Sequence, residues 1–367
     1  MSKPRVLFVG RTRYELPLPP WLQKKFDALE GELDYRVLAS AAPGERSQGR
    51  FDLVRPARPG PLDGVFFHLS LPFRIARAIR EHQPDAIVAE DPHVAAAALL
   101  ARRIGGGSRP RVVAEVHGNW RLATRLYGSP ARRVFAPIAD AVDSIAVRRA
   151  DAVRALSPYT AGLVETVRGR PPDASFPTYS DLSAFTEPRR PLPERPTALF
   201  VGVLERYKGI DTLAASWPRV AARLPAARLV VVGKGSRRHL VERLGVEHVE
   251  QLRPEQVAAR MDDSWVLLLP SRYEGLGRVV IESFARGRGV VGGRAGGILD
   301  LVREGGEGLL VEPGDVAGLA AALERVLSDR ALAERLGEAA AARFEDWRST
   351  PEEFAARVRE LVDRALH

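Results

Sequence analysis

Short β-branched apolar runs alternate with longer amphipathic stretches along the chain, and this alternation restricts the fold more than any other feature. The runs are five to seven residues long, the length of a buried strand, and the stretches between them have the period of about 3.6 residues that is typical of helices. Strands that alternate with helices pair in parallel, because each parallel pairing needs a long crossover. The sequence therefore predicts an α/β protein with doubly wound parallel sheets.

The predicted elements form two groups. The strands of the first are 5–10, 35–39, 86–90, 111–116 and 152–157, with helices near 64–82, 92–104, 131–149 and 158–168. The strands of the second are 197–202, 227–233, 246–251, 265–270, 289–293 and 308–312, with helices near 209–223, 237–244, 254–262, 277–286 and 297–304. LFVG closes the first strand of each group, which indicates two similar halves; chance repetition is the alternative.

The segment TEPRRPLPERP (186–196) contains four prolines and few apolar residues, so it is interpreted as a hinge. This predicts a first domain over 1–190, a second over 191–348 and a separate crossover helix over 349–367. Glu353 follows Thr350 by three residues, the spacing of a helix capping box. A length of 367 residues suits two domains.

Composition excludes some chemistry. The chain has no cysteine, so disulfides, thiolate metal sites and cysteine nucleophiles are ruled out. The opening MSKPRVLFVGR has too few apolar residues for a signal peptide, and no apolar run reaches the ~18 residues of a membrane span. We therefore expect a cytoplasmic protein.

Charge is unevenly distributed. Residues 1–190 hold 29 Lys and Arg against 20 Asp and Glu, whereas 191–367 hold 26 of each. The whole net charge of +9 thus lies in the first half, which indicates different partners for the two halves. The chain has 50 arginines and only five lysines. Of the lysines, only Lys208 and Lys234 lie in the second half, both in glycine-marked turns.

The stretch EGLGRVVIE (274–282) points to an anion site. A helix should begin near Gly277, and no Ser, Thr, Asp or Asn stands at 275–277 to cap it, so its first amides face outward as a positive end. Glu274 precedes that end and Glu282 lies inside the helix. The pattern suits a nucleotide sugar: amides for the diphosphate, one glutamate for the ribose and one for the sugar. Two solvated surface charges are the alternative.

Neighbouring turns support the first interpretation. Arg206 and Lys208 follow the first strand of the same half, and GKGS (233–236) and RAGGILD (294–300) are two further glycine-rich turns. Ligands of parallel sheets bind at the carboxyl ends of the strands. We expect all of these turns to share one edge of the second sheet.

These residues resemble a known family. The patterns VGxLxxxKGxDxL (201–213), PSxxEGxGxVxIEsfAxG (270–287), GGxxDLV (296–302) and GxLVxPGD (308–315) are similar to those of the retaining family-4 glycosyltransferases of the GT-B fold. Glu274 and Glu282 match that family's E-x7-E motif. The resemblance is close over about 197–327 and looser in the first half, where VVAEVHGNW (112–120), SPYTAGLVE (157–165) and SDLSAF (180–185) match.

The resemblance implies a GT-B arrangement, with two Rossmann-like domains facing a cleft and the C-terminal helix returning toward the first domain. It implies transfer of a hexose-type sugar, with retention, from a UDP- or GDP-sugar. The implied catalytic residues are His117, Lys208 and Glu274; the implied donor-binding residues are Arg206, Lys208, Gly277, Arg278, Val279 and Glu282. No Asp-x-Asp occurs, so cations rather than a bound metal are expected to neutralise the diphosphate, and no cofactor is expected.

Three departures from the family pattern affect these implications. Val203 stands where the family usually has arginine, so Arg206 must substitute or the contact is lost. GRTRYELPLPP (10–20) replaces the expected glycine pair, which puts acceptor binding in doubt. SFPTYSDL (175–182) lacks the hinge Asn-Gly. Arg11, Arg13 and Trp120 are the candidates on the acceptor side; Trp120 is otherwise a packing anchor.

Other functions stay open on the residues alone. A nucleotide-sugar epimerase or phosphorylase of the same fold, a catalytically dead sugar-nucleotide-binding protein and a basic nucleic-acid-binding protein are the rivals, although no nucleic-acid motif supports the last. The acceptor is predicted to be a glycan, a lipid-linked compound or a small molecule. Peripheral contact with an anionic inner membrane face is one explanation of the basic half, and a solvated basic helix is the other. The predicted contact patch comprises Arg121, Arg125, Leu126, Tyr127, Arg132, Arg133 and Phe135.

Overall fold

A computed structural model describes residues 2–56, 63–106, 108–122 and 130–367, the side chains of 130–135 excepted. The chain forms two compact units. The first unit comprises Met1–Ser180 and Ser349–His367, and the second comprises Asp181–Arg348. The change of unit thus falls ten residues before the predicted boundary at 190.

The first unit is built on a seven-stranded sheet of order β3-β2-β1-β4-β5-β6-β7, in which all described pairings of these strands are parallel. Its strands are β1 (Arg5–Tyr14), β2 (Asp34–Ala41), β3 (Phe51–Val54), β4 (Ala86–Ala89), β5 (Arg111–Val116), β6 (Ala152–Ala155) and β7 (Ala174–Ser175). Its helices are α1 (Pro20–Glu32), α2 (Asp63–His82), α3 (Pro92–Ile104), α4 (Pro130–Arg149) and α5 (Pro158–Arg168).

Both faces of this sheet are buried, because neighbouring strand residues point to opposite sides. Leu7 and Val9 pack with the apolar residues of α2 and α3, whereas Val6 packs with those of α1 on the other face. The C-terminal helix also covers this second face and packs against α1. The predicted return of that helix to the first domain is therefore confirmed.

The second unit contains a six-stranded parallel sheet of order β10-β9-β8-β11-β12-β13. The strands are β8 (Thr197–Val201), β9 (Arg228–Val232), β10 (Glu247–Val249), β11 (Val266–Leu269), β12 (Gly289–Gly293) and β13 (Gly308–Val311). Its helices are α6 (Ile210–Arg223), α7 (Arg238–Glu242), α8 (Pro254–Asp262), α9 (Arg278–Ala285), α10 (Ile298–Leu301), α11 (Val316–Ser328) and α12 (Arg330–Arg343). The C-terminal helix α13 (Pro351–Leu366) belongs to the first unit.

The repeated LFVG motif marks equivalent strands. β1 lies between β2 and β4, and β8 lies between β9 and β11, so each copy ends the strand where the order of the sheet reverses. Two similar doubly wound halves were predicted, and the two sheets confirm them. The predicted capping box of α13 is also present, since Thr350 and Glu353 bond each other's backbone amides.

The proline-rich segment predicted as a hinge is bound to the second unit by buried guanidinium groups. Arg286 donates to the carbonyl oxygens of Glu187 at 2.7 Å and Pro188 at 3.2 Å. Arg288 donates to those of Arg190 at 2.9 Å and Pro191 at 3.3 Å. Backbone carbonyls that belong to no sheet need such donors. This explains why the unit begins at Asp181, before the prolines rather than among them.

Some elements were missed in the sequence. They are α1, α11, α12, β3 and β7. Helix α1 buries only Phe26 and Leu29, too few positions to show a helical period. Strand β1 continues beyond Gly10 to Tyr14. Its register with β2 shifts between Val9 and Arg13, which brings Tyr14 opposite Ala41. Among the described helices, none has the length and apolar content needed to cross a bilayer.

Candidate functional site

The glycine-rich turns of the second unit meet at the carboxyl edge of its sheet, as predicted. Gly209 has φ +73° and lies so close to Pro270 that a β-carbon there would overlap the Pro270 carbonyl oxygen. A β-carbon on Gly296 would likewise overlap the carbonyl oxygen of Glu274. Close backbone approach therefore requires glycine at both positions, and it brings the turns after β8, β11 and β12 together.

Lys208 and Glu274 form an ion pair in this cluster of turns. The Lys208 Nζ lies 2.5 Å from the Glu274 Oε1, which also accepts a hydrogen bond from the Ser271 Oγ at 2.7 Å. Glu274 is only 7% exposed and Ser271 is fully buried. No described residue bonds the Glu274 Oε2. The carboxylate is therefore held at one oxygen, and its other oxygen is left as an acceptor.

Arg272 fixes the turn that carries Lys208. Its guanidinium pairs with both carboxylate oxygens of Asp211, at 2.5 and 3.0 Å, and donates to the Arg206 carbonyl at 2.9 Å. Its backbone amide donates to the Tyr207 carbonyl at 2.7 Å. Burial alone would raise the pKa of Asp211, but the hydrogen bonds from Arg272 lower it. An ionised Asp211 thus anchors the Arg206–Lys208 turn through Arg272.

Helix α9 begins at Arg278, directly after Gly277, as the sequence predicts. Gly277 has φ +86°, and no side chain caps the helix. The first amides, at Arg278 and Val279, are consequently at an open helix end, the arrangement expected for an anion site.

Glu282 lies in the second turn of α9 and is only 8% exposed. Its Oε1 lies 2.8 Å from the Arg278 Nε, and no described residue bonds its Oε2. Burial raises the pKa of Glu282, and Arg278 opposes that rise. Because Glu274 and Glu282 are both buried, the alternative of two solvated surface charges is wrong.

The remaining predicted donor residue, Arg206, is exposed, and its side chain has no carboxylate partner in the described part of the chain. Val203, on the same loop, is also exposed. Arg206 is thus available to a ligand beside Lys208, whereas Val203 provides no polar group there.

In the first unit, His117 follows the end of β5. Its Nε2 lies 3.0 Å from the Oε2 of Glu115, and the other carboxylate oxygen of Glu115 lies 2.9 Å from the Nη2 of Arg154. Burial alone would raise the pKa of Glu115, but Arg154 and His117 lower it to about 2. An ionised Glu115 only accepts, so the His117 Nε2 donates to it.

This geometry predicts a pH-dependent contribution of Glu115 to stability. The folded-state pKa lies below the ordinary value of 4.5, so the contribution is present above about pH 4.5 and is lost as the pH falls toward 2. We expect Glu115→Gln to reduce the free energy of unfolding at pH 6 by a few kcal/mol and to weaken its decline toward pH 3.

The measurement is urea unfolding between pH 6 and pH 3. Glu81→Gln is the control, because Glu81 is exposed and, within the described residues, forms an ion pair only with Arg77 on the same helix. Equal acid sensitivity of wild type and Glu115→Gln contradicts the role of Glu115.

The predicted acceptor-side residues have different surroundings. Arg11 and Arg13 both pair with the Oδ2 of Asp63, at 3.3 and 3.2 Å. Trp120 is 6% exposed and belongs to an apolar core cluster, so its packing interpretation is favoured over contact with a sugar face.

In the predicted membrane patch, Arg121 lies beside the Trp120 ring and donates to the Ser144 Oγ at 3.3 Å. Arg125, Leu126 and Tyr127, and the side chains of Arg132, Arg133 and Phe135, lie outside the described residues.

Comparison with known proteins identifies the family. Residues 195–329 match the family model of Glycosyl transferases group 1, and residues 28–175 match that of Glycosyltransferase Family 4. A GDP-mannose-dependent alpha-(1-6)-phosphatidylinositol monomannoside mannosyltransferase of Mycobacterium tuberculosis is 30% identical over 308 residues, which cover 77% of this chain and 74% of that protein. The chain belongs to glycosyltransferase family 4. The family predicted from the sequence motifs is thereby confirmed.

A second curated relative and a solved structure are also similar to the chain. A glycogen synthase of Mycobacterium tuberculosis is 35% identical over 173 residues, which are 44% of this chain and 42% of that enzyme. The chain thus spans less than half the length of this curated relative. A sucrose-phosphate synthase from Thermosynechococcus elongatus has a TM-score of 0.77 at 20% identity, with 98% of both chains covered. This likeness confirms the GT-B fold.

Several residues of the site were missed in the sequence. Arg272 and Ser271 lie inside the PSRYEG motif, but nothing local shows that their partners are Asp211 and Glu274. Glu115 stands on β5, two residues before His117, which directly follows the strand, and residues two apart in extended backbone share a face. That period-two spacing was the one signal that could have revealed it.

Proposed function

We propose that this family-4 protein is a retaining glycosyltransferase that moves a hexose-type sugar from a UDP- or GDP-sugar to an acceptor. The observation that carries the proposal is the pair of buried glutamates beside an open helix end. Glu274 and Glu282 are each held by a cation at one oxygen and keep the other oxygen for a hydroxyl donor. Carboxylates beside an anion-binding helix end suit a ligand that has both phosphates and hydroxyls.

Roles follow from the positions. Glu282 accepts from the ribose hydroxyls and Glu274 from those of the donor sugar. The diphosphate lies against the amides of Gly277, Arg278 and Val279, with Lys208 and Arg206 beside it. Negative charge grows on the leaving diphosphate as the sugar departs, so a fixed ammonium stabilises the transition state more than the ground state.

The family resemblance assigns His117 to the donor sugar. Its Nε2 is directed to Glu115, so its Nδ1 is the ring nitrogen left for a sugar hydroxyl. Front-face displacement with retention needs no covalent intermediate, so no nucleophilic side chain is assigned.

Metal independence is part of the proposal. Lys208, Arg206 and the open end of α9 supply the positive charge for the diphosphate, and the sequence has no Asp-x-Asp. Isothermal titration of the full chain with UDP-, GDP- and ADP-sugars, each with and without EDTA, tests both points. We expect one nucleotide class to bind equally well in EDTA. Absence of binding to all three refutes the donor proposal, and binding that requires added Mn²⁺ refutes metal independence.

Glu282→Gln should weaken donor binding by about ten- to a hundredfold, because a charged acceptor of ribose hydroxyls is lost. Calorimetric affinity for the donor identified above is the measurement. Glu255→Gln, at an exposed position of α8, is the matched control and should leave the affinity unchanged. Unaltered affinity of Glu282→Gln shows that this glutamate does not contact the ribose.

The alternatives within the fold remain testable by product analysis. An epimerase or phosphorylase converts the donor without a sugar acceptor, whereas a dead binding protein binds the donor and forms no product. Val203 favours the last alternative, because it removes one cation from the family pattern. Arg206, exposed on the same loop, favours the transferase.

A further inference from the structure

Exposed apolar side chains are concentrated on one layer of the first unit. In the described part of the chain, twelve large apolar side chains are exposed, and nine of them lie on α2, α3 and α4. We call these nine the apolar patch; they are Val65, Phe66, Leu69, Phe73, Leu100, Ile104, Ile138, Val142 and Ile145. Isolated exposed apolar residues are ordinary in proteins, but such a concentration marks an interaction surface.

The patch follows from helical periodicity. On α2, Leu69 and Phe73 are 67% and 68% exposed, whereas Leu71 and Ile75 are fully buried in the core. On α4, Ile138, Val142 and Ile145 recur at three- and four-residue intervals. Both helices therefore have a second apolar side that faces solvent, opposite the side that packs on the sheet.

The patch lies on one layer of helices that covers one face of the first sheet. Helix α3 packs against both α2 and α4. Asp63, the first residue of α2, pairs with Arg11 and Arg13 on the last part of β1. The N-terminal half of α2, which carries Leu69, thus lies on the side of the unit where the strands end. The C-terminal ends of α2 and α3 meet on the other side, where Arg80 donates to the Gly105 carbonyl, so the patch extends along the whole layer.

The charges around the patch are almost all basic. The three helices contain nine arginines and four carboxylates. Three of the carboxylates, Asp63, Asp140 and Asp143, are buried, and the fourth, Glu81, pairs with Arg77. Each helix also has an exposed arginine in its last turn: Arg80 on α2, Arg103 on α3 and Arg149 on α4. The surface of the layer is therefore apolar and cationic.

We propose that α2, α3 and α4 form a docking surface for an anionic lipid bilayer. Apolar side chains that insert among acyl chains, with arginines at the depth of anionic headgroups, are the arrangement that holds interfacial helices at membranes. A second copy of the chain fits less well, since self-association would bring like charges together. The inference deepens the proposed function by assigning the acceptor side to a lipid-linked acceptor.

Vesicle sedimentation of the full chain tests this surface. The probes are vesicles of phosphatidylcholine alone and of phosphatidylcholine with ~30% phosphatidylglycerol. We expect binding to the anionic vesicles only, and release at about 1 M salt. Phe73→Glu should lower the partition coefficient at least about tenfold, because it replaces an inserted aromatic ring with a charge.

Trp21→Glu is the matched control, because Trp21 is a half-exposed aromatic residue on α1, and it should leave vesicle binding unchanged. The proposal is contradicted if the wild type does not bind anionic vesicles at low salt, or if Phe73→Glu binds them equally well. It is also contradicted if the wild type does not bind vesicles but forms a dimer in analytical ultracentrifugation and Phe73→Glu abolishes that dimer. Donor calorimetry on the same samples separates the two ideas. Intact donor binding with no vesicle binding overturns the docking surface and leaves the proposed transferase standing.

Discussion

Lys208→Ala should reduce kcat by about a hundred- to a thousandfold while donor affinity changes by less than about tenfold. The reason is that the proposed function places Lys208 beside a diphosphate whose charge increases during the reaction, so its contribution would be largest in the transition state. Steady-state kinetics with the donor identified by calorimetry, together with direct donor titration, measure the two effects separately.

Stability must be controlled in that experiment, because the substitution leaves the buried Glu274 without its cation. The double variant Lys208→Met/Glu274→Gln removes both charges and should retain the thermal stability of wild type. Lys3→Ala is the control for loss of a lysine and should keep near-normal turnover, because Lys3 is exposed and donates to the Glu30 carbonyl in the first unit. A raised KM with unchanged kcat in Lys208→Ala reduces Lys208 to a binding residue.

Arg286→Ala should lower the free energy of unfolding by about 3–5 kcal/mol, the usual result of leaving a buried charge unpaired. Arg286 and Asp262 are 2% and 6% exposed and form a bidentate pair, with Nε–Oδ1 and Nη2–Oδ2 distances of 2.9 and 2.6 Å. The same guanidinium binds the carbonyls of Glu187 and Pro188. The variant therefore also releases the segment at the start of the second unit.

Differential scanning calorimetry and urea unfolding measure this loss. Arg190→Ala is the control: Arg190 is largely exposed and lies 3.7 Å from the same Asp262, so a change below about 1 kcal/mol is expected. A similarly small effect for Arg286→Ala shows that water replaces the guanidinium and that the pair does not stabilise the segment. Asp262 ends α8, and its burial with Arg286 shows that it is not a solvated surface residue.

The sequence alone determined the features that depend on local pattern. Alternating apolar runs predicted two parallel sheets, the absence of a capping side chain before Arg278 predicted the open end of α9, and Thr350 with Glu353 predicted the start of α13. In each case the physical cause lies within a few residues: side-chain period, backbone amides without a partner, or a capping side chain. Glu274 and Glu282 were predicted as site residues for the same reason, because both lie within a few residues of the predicted helix start near Gly277.

Tertiary structure decided which distant groups meet. Lys208 and Glu274 are 66 residues apart, and only the adjacency of β8 and β11 brings their turns together. The prolines at 186–196 suggested a flexible hinge from composition, yet Arg286 and Arg288 bind that backbone to the second unit. No local pattern encodes these contacts, because a guanidinium or carboxylate takes whatever partner the fold brings within about 3 Å. Sequence therefore determined the elements and the candidate residues, whereas their charge partners and burial depended on how the strands are ordered.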